Sequence, residues 1–242
     1  PAPQSGDRSV TVAALRTPGG SVGLLRSATT RRSGFVTLVD VAPTILDLLG
    51  IDRPQSMEGR PWRVGRTGGD AAERQDYLVQ ANADSLFRDE LVNPVTAAVI
   101  WTSIALVLAA GLLLGRIRRT ADALRWVALA LVGFILATLL AVPLHLEDHG
   151  GVAVFWLFVS LFAIGFAALC RLTARWSPID PLLWALGALV LVFVGDQFTG
   201  SHLEFNSVFG YSATVGIRFA GIGNASSALL TASAIIVAAL LA

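Results

Sequence analysis

A chain of 242 residues that is 54% hydrophobic and 14% charged is too apolar for an ordinary soluble domain and falls in the membrane class. Its formal net charge of +1 supplies no global field for nucleic acid, so no nucleic-acid partner is expected. The one cysteine, Cys170, excludes an intrachain disulfide framework.

Most of the polarity lies in residues 1–94. Residues 9–15, SVTVAAL, alternate as a short strand does. Residues 19–25, GGSVGLL, follow a Pro-Gly-Gly turn and read as a second strand or an extended loop, and 35–39, FVTLV, as another extended piece. A helix then follows with legible ends. Asp40 is placed to cap it, Pro43 is tolerated in its first turn, and Gly50 suits the position beyond its last turn. Ile45, Leu46, Leu48 and Leu49 give it a broad apolar face. Residues 52–70 are a Pro-, Gly- and Arg-rich loop, and 71–91 a polar, partly amphipathic helix near the membrane surface.

From Val95 onward the chain is a series of apolar segments, at 95–115, 126–146, 152–170, 181–199 and 225–242. Each approaches the roughly 20 residues that cross a bilayer. The connections carrying Arg116, Arg118, Arg119 and Arg125, and then Arg171 and Arg175, are basic, whereas the connection holding Glu147 and Asp148 is acidic. The positive-inside rule puts the basic connections in the cytoplasm and residues 1–94 outside. The expected architecture is an α-helical membrane bundle of about five transmembrane helices preceded by a partial α/β extracytoplasmic domain. Its divisions are 1–70, a juxtamembrane helix or linker at 71–94, and a helical membrane region at 95–242. The chain begins at Pro1, has Met57 as its only methionine and stops at Ala242 within an apolar run. It therefore reads as a fragment of a longer protein.

The stretch FVTLVDVAPTILDLLGIDRPQSMEGRPW resembles the C-terminal segment of the alkaline-phosphatase superfamily, in the manner of cofactor-independent phosphoglycerate mutases and sulfatase-like hydrolases. Asp40, Pro43, Thr44, Leu49, Gly50, Pro54, Met57 and Gly59 carry the resemblance. It implies an α/β hydrolase-like domain with two divalent metals and a Ser or Thr nucleophile. Residues 1–39 hold no histidine and one acid, Asp7, so the family's metal ligands and nucleophile are expected upstream. Asp40 and Thr44 then read as structural residues. No catalytic residue and no cofactor is assigned to this chain, and the partners expected are the lipid bilayer and the upstream part of the same protein. Arg31 and Arg32 are candidates for an anionic substrate or headgroup, although a solvated basic turn is the plainer account.

The connection between the last two segments, GSHLEFNSVFGYSATVGIRFAGIGNASSA, is rich in glycine and aromatics. Part of it, FGYSATVGIRFAGIGN, resembles a run in uncharacterised bacterial multi-spanning proteins whose extracytoplasmic portion looks phosphatase-like. Non-helical backbone survives at membrane depth only inside protein or beside water, so a re-entrant segment is expected. Arg218 lies there among apolar residues, and an unpaired guanidinium near hydrocarbon is costly. Asp196 or Glu204 is its expected partner, with Asp196 preferred because it projects from a helix end. The pair reads as an architectural lock, or as a site for an anionic group. His145, His149 and His202 share the expected outer side with Glu147, Asp148, Asp196 and Glu204. Without tight ligand spacing they read as hydrated loop residues rather than a metal site.

These features leave three functions open: a membrane-anchored phosphate or sulfate ester hydrolase whose catalytic half lies upstream, a transporter or lipid-handling bundle with a degenerate outer domain, and a non-catalytic envelope scaffold.

Overall fold

The computed structural model describes residues 10–65, 69–113, 118–177, 179–214 and 219–242. The chain divides into two compact units, residues 1–86 with 212–220 and residues 87–211 with 221–242. The boundary lies inside a helix, short of the expected limit at residue 94.

In the first unit the β structure among the described residues reduces to one antiparallel pair, β1 (Leu25–Arg26) and β2 (Arg63–Val64), with Leu25 opposite Val64. The strand expected over 9–15 does not form over its described part: residues 10–15 find no partner strand, and Val12 stays 82% exposed. Of 19–25, only Leu25 joins the ladder. The extended piece expected at 35–39 curls instead into a 3-10 turn at Leu38–Asp40. The cause is local. The N–H and hydroxyl of Thr37 both donate to Asp40 Oδ2, at 3.1 and 2.8 Å, which folds the chain back within three residues. Helix α1 (Val41–Leu48) follows.

Helix α2 (Ala71–Leu113) runs without a break through the expected juxtamembrane helix and the first apolar segment, with Pro94 inside it. A reciprocal capping box starts it: Asp70 Oδ1 accepts from the Glu73 N–H at 3.0 Å and Glu73 Oε2 from the Asp70 N–H at 3.2 Å. Proline removes one ladder donor from a helix interior. The α-helix continues on both sides of Pro94 all the same. Val95 beside it is fully buried among Leu91, Ala137, Phe155 and Val159.

The second unit contains the rest of α2 with α3 (Arg118–Leu140), α4 (Gly151–Leu172), α5 (Asp180–Thr199) and α6 (Asn224–Leu241). Among the described residues five helices, α2 to α6, are long and apolar enough to cross a membrane. This is the pattern of a multi-pass membrane protein. Helices α3 and α4 are antiparallel and close. A Cβ at Gly133 would lie 2.8 Å from Phe166 Cδ1 and 3.2 Å from Ala163 Cα. Small side chains line the contacts, with Ala137, Ala163, Ala167 and Ala185 all buried. That is how helices approach where lipid removes the hydrophobic drive between them. Leu157, Leu161, Ile164 and Leu169 point outward and are exposed, as lipid-facing residues are.

Candidate functional site

Each unit holds a place where polar side chains gather among the described residues. In the first, the Asp-x-x-x-Thr spacing of α1 has a geometric purpose. Asp40 Oδ1 accepts the Arg60 N–H at 2.8 Å, and Thr44 Oγ1 accepts the Trp62 N–H at 2.9 Å. Four helical residues rise about 6 Å and two extended residues span about 6.6 Å, so a helix and a strand-like tail match at this interval. Pro61 falls between the two donors, where no N–H is needed. One turn further along, Arg63 closes a bidentate pair on Asp47 at 2.6 and 2.9 Å. Gly59 has φ +82°, and a Cβ there would collide with the Val39 carbonyl.

Asp40 is fully buried and takes two further hydroxyls, Ser27 at 2.7 Å and Thr29 at 2.6 Å. Burial pushes its carboxyl up. The bonds from Thr29, the Arg60 N–H, Ser27 and Thr37 outweigh that and hold it below the ordinary aspartate range. The expected cap role is thus corrected: Asp40 makes no side-chain cap bond to α1, and its carboxylate joins three separate segments instead. Thr44 donates to the Asp40 carbonyl at 2.6 Å while accepting from Trp62, so its hydroxyl is engaged in both directions.

These residues do not fit a two-metal centre. Asp40 is saturated by donors, Asp47 is paired with Arg63, and residues 1–94 contain no histidine. Arg31 is exposed with φ 58° in its turn, and Arg32 is half-buried with its Nε donating to the Phe219 carbonyl.

In the second unit, α5 stops where Gly200 and Ser201 adopt left-handed backbone, φ 103° and 60°. The chain turns back onto the helix end. The Ser201 N–H donates to the Asp196 carbonyl at 2.7 Å, and the Asp196 carboxylate accepts the N–H groups of Leu203 at 2.8 Å and Glu204 at 3.0 Å. Asp196 is 4% exposed and Glu204 fully buried. Glu204 Oε2 accepts the Gly223 N–H at 3.2 Å, which places a carboxylate at the N-terminus of α6, where the helix dipole favours it. A Cβ at Gly210 would sit 2.8 Å from Glu204 Oε2, and one at Gly223 3.3 Å from it, so both glycines make room for this acid.

The tip of the loop then enters the bundle. Val208 is buried with Leu91, Val95, Ala137, Ala141, Phe155 and Val159, and Phe209 packs beside it. Three successive carbonyls are met by side chains from flanking helices. Arg88 of α2 reaches Ser207 O at 3.1 Å and, more weakly, Val208 O at 3.5 Å; Ser226 of α6 donates to Phe209 O at 3.3 Å. Arg88 also pairs with Asp89 at 3.0 Å.

The structure brings Asp196 and Glu204 together through the backbone, both Asp196 oxygens holding N–H groups. Arg218, the expected cation, lies outside the described residues, and Arg31 and Arg32 belong to the other unit. Sequence reasoning missed Arg88. Its signal was a lone base seven residues before Val95, on a helix about to become apolar. It also missed the Ser27, Thr29 and Thr37 hydroxyls around Asp40, for which a Ser/Thr-rich run is too common a feature to be diagnostic. Comparison with family models, curated proteins and solved structures gives no match.

Proposed function

We propose that the chain is the C-terminal part of a bacterial membrane-anchored protein resembling the alkaline-phosphatase superfamily. In full length it acts on an extracytoplasmic phosphate or sulfate ester, and residues 1–94 lie outside the plasma membrane. The metals and nucleophile belong to the upstream part, and this chain supplies a closing segment of the domain together with its membrane bundle.

One observation carries the reading. The polar side of α1 is fully occupied by the 60–63 tail, whereas Leu38, Val39, Ile45, Leu48, Leu49 and Ile51 are all at least 51% exposed. An apolar patch of that kind on a folded element marks a surface built to be covered, and a preceding layer of the same domain would cover it. The test pairs the full-length protein with the 242-residue chain in metal-supplemented phosphatase, phosphodiesterase and sulfatase assays. Turnover is expected from the first alone. Turnover by the short chain that a substitution within it abolishes would overturn the proposal.

The second reading, a transporter or lipid-handling bundle, draws on the 200–211 loop, where irregular backbone and two buried acids lie among the helices. Silence of the full-length protein in every ester assay would favour it.

A further inference from the structure

The loop-poor end of the bundle carries a different chemistry, one the ester reading does not use. Along the sequence, the stretches 116–125 and 171–180 hold six arginines, Arg116, Arg118, Arg119, Arg125, Arg171 and Arg175, against two acids, Asp122 and Asp180. Arg125 and Arg171 approach one oxygen of Asp122 from two helices, at 3.5 and 3.8 Å. Both distances exceed hydrogen-bond length. Among the described residues Arg125, Arg171 and Arg175 donate no side-chain hydrogen bond, so their forks remain available. Stacking nevertheless holds two of them in place. The Arg171 guanidinium lies 5.2 Å from the Trp126 ring centre and that of Arg175 4.5 Å from Trp176. Trp126 is 37% and Trp176 65% exposed, and both sit at ends of spanning segments, where indoles settle at headgroup level.

From this placement we infer that the end of α3 and α4 formed by Arg125, Trp126 and Arg171, flanked by Arg175, is a binding site for the phosphate of an anionic phospholipid. Planar guanidinium forks match phosphate oxygens two at a time, and Arg125 and Arg171 converge from two helices, so a phosphate beside Asp122 meets both cations and competes with one carboxylate for them. A basic niche between membrane helices takes lipid headgroups because the acyl chains stay beside the apolar helix faces while the phosphate meets the cations. The exposed Ile164, two turns deeper on the face of α4 that carries Arg171, provides that apolar bed.

The experiment is native mass spectrometry of the purified 242-residue protein with phosphatidylglycerol or phosphatidylcholine of identical chains. Phosphatidylglycerol should bind more tightly, by about fivefold for each arginine engaged. Arg125→Gln with Arg171→Gln should bring the two lipids to near equality, and Arg26→Gln, in the other unit, should change nothing. Equal binding by the wild type, or an undiminished preference in the double variant, would overturn the site. Arg125→Lys with Arg171→Lys keeps the charge and loses the forks. It should lose most of the preference, and full retention would reduce the effect to diffuse attraction and overturn the site equally. Should the double variants fail to elute as a single species, Trp126→Leu, which removes the ring on which Arg171 stacks, should still weaken phosphatidylglycerol. Calorimetry with inorganic phosphate should show no saturable binding. Saturable binding weakened by Arg125→Gln would assign the niche to a free anion instead of a lipid.

Discussion

Asp40 shows how one residue can hold a small fold together. Five donors from the 27–29, 37 and 60 segments converge on a carboxylate with no exposed surface. Asp40→Asn replaces an acceptor oxygen by a donor that faces donors, and should cost about 2–3 kcal/mol, read as a fall in the denaturant midpoint of the first unit followed by Trp62 fluorescence. The pH dependence has a definite sign. Because the folded carboxyl titrates below its unfolded value, its contribution is complete above the ordinary pKa of roughly 3.9. It drains away only as the pH falls through the lower folded value. The Asn variant should lose this acid-sensitive limb, and an identical acid transition in both proteins would dismiss the hub. Gly210 is the second decisive residue. Gly210→Ala must push against the Glu204 carbonyl and carboxylate, and should lower bundle stability by about 1–3 kcal/mol in a thermal melt in detergent.

At the scale of elements, the loop between α5 and α6 behaves as part of the core. Its carbonyls are satisfied by Arg88 and Ser226, which is the condition for irregular backbone within a helical bundle. Arg88→Ala would leave buried carbonyls without their donor. A cysteine placed at Val208 should be shielded from maleimide in the parent protein and become reactive when Arg88→Ala is added. Equal labelling in both would mean that the guanidinium does not hold the loop. Helix α1 presents the opposite situation, a polar side completed by its own tail and an apolar side left open. Leu49→Asp should therefore leave the 242-residue chain as stable as before and destabilise the full-length protein.

For the whole molecule, the charge pattern yields the testable topology. The acidic connection at Glu147–Asp148 and the arginines at 118–125 and 171–175 lie on alternate turns of the bundle. In intact cells Glu58→Cys should react with an impermeant maleimide and Thr120→Cys should not. Labelling at 120 would reverse the orientation.

Sequence by itself determined the apolar helices and their number, because a bilayer demands long apolar runs and every α-helix satisfies its backbone within its own segment. It also located α1, through Pro43 in its first turn and Gly50, left-handed at φ 69°, beyond its last. Tertiary structure alone decided what the polar residues do. Asp40, expected as a cap, became a hub because its partners come from 11, 13 and 20 residues away, beyond the reach of any local pattern. Helix α2 continues through Pro94, and Val95 beside it is buried among residues of α3 and α4. Residues 10–15 did not become a strand because alternation supplies a face but not a neighbour. Arg88 and Ser207, 119 residues apart, meet only when the loop has folded into the bundle. A spanning helix needs nothing but itself, whereas a buried polar group needs partners that only the folded chain assembles.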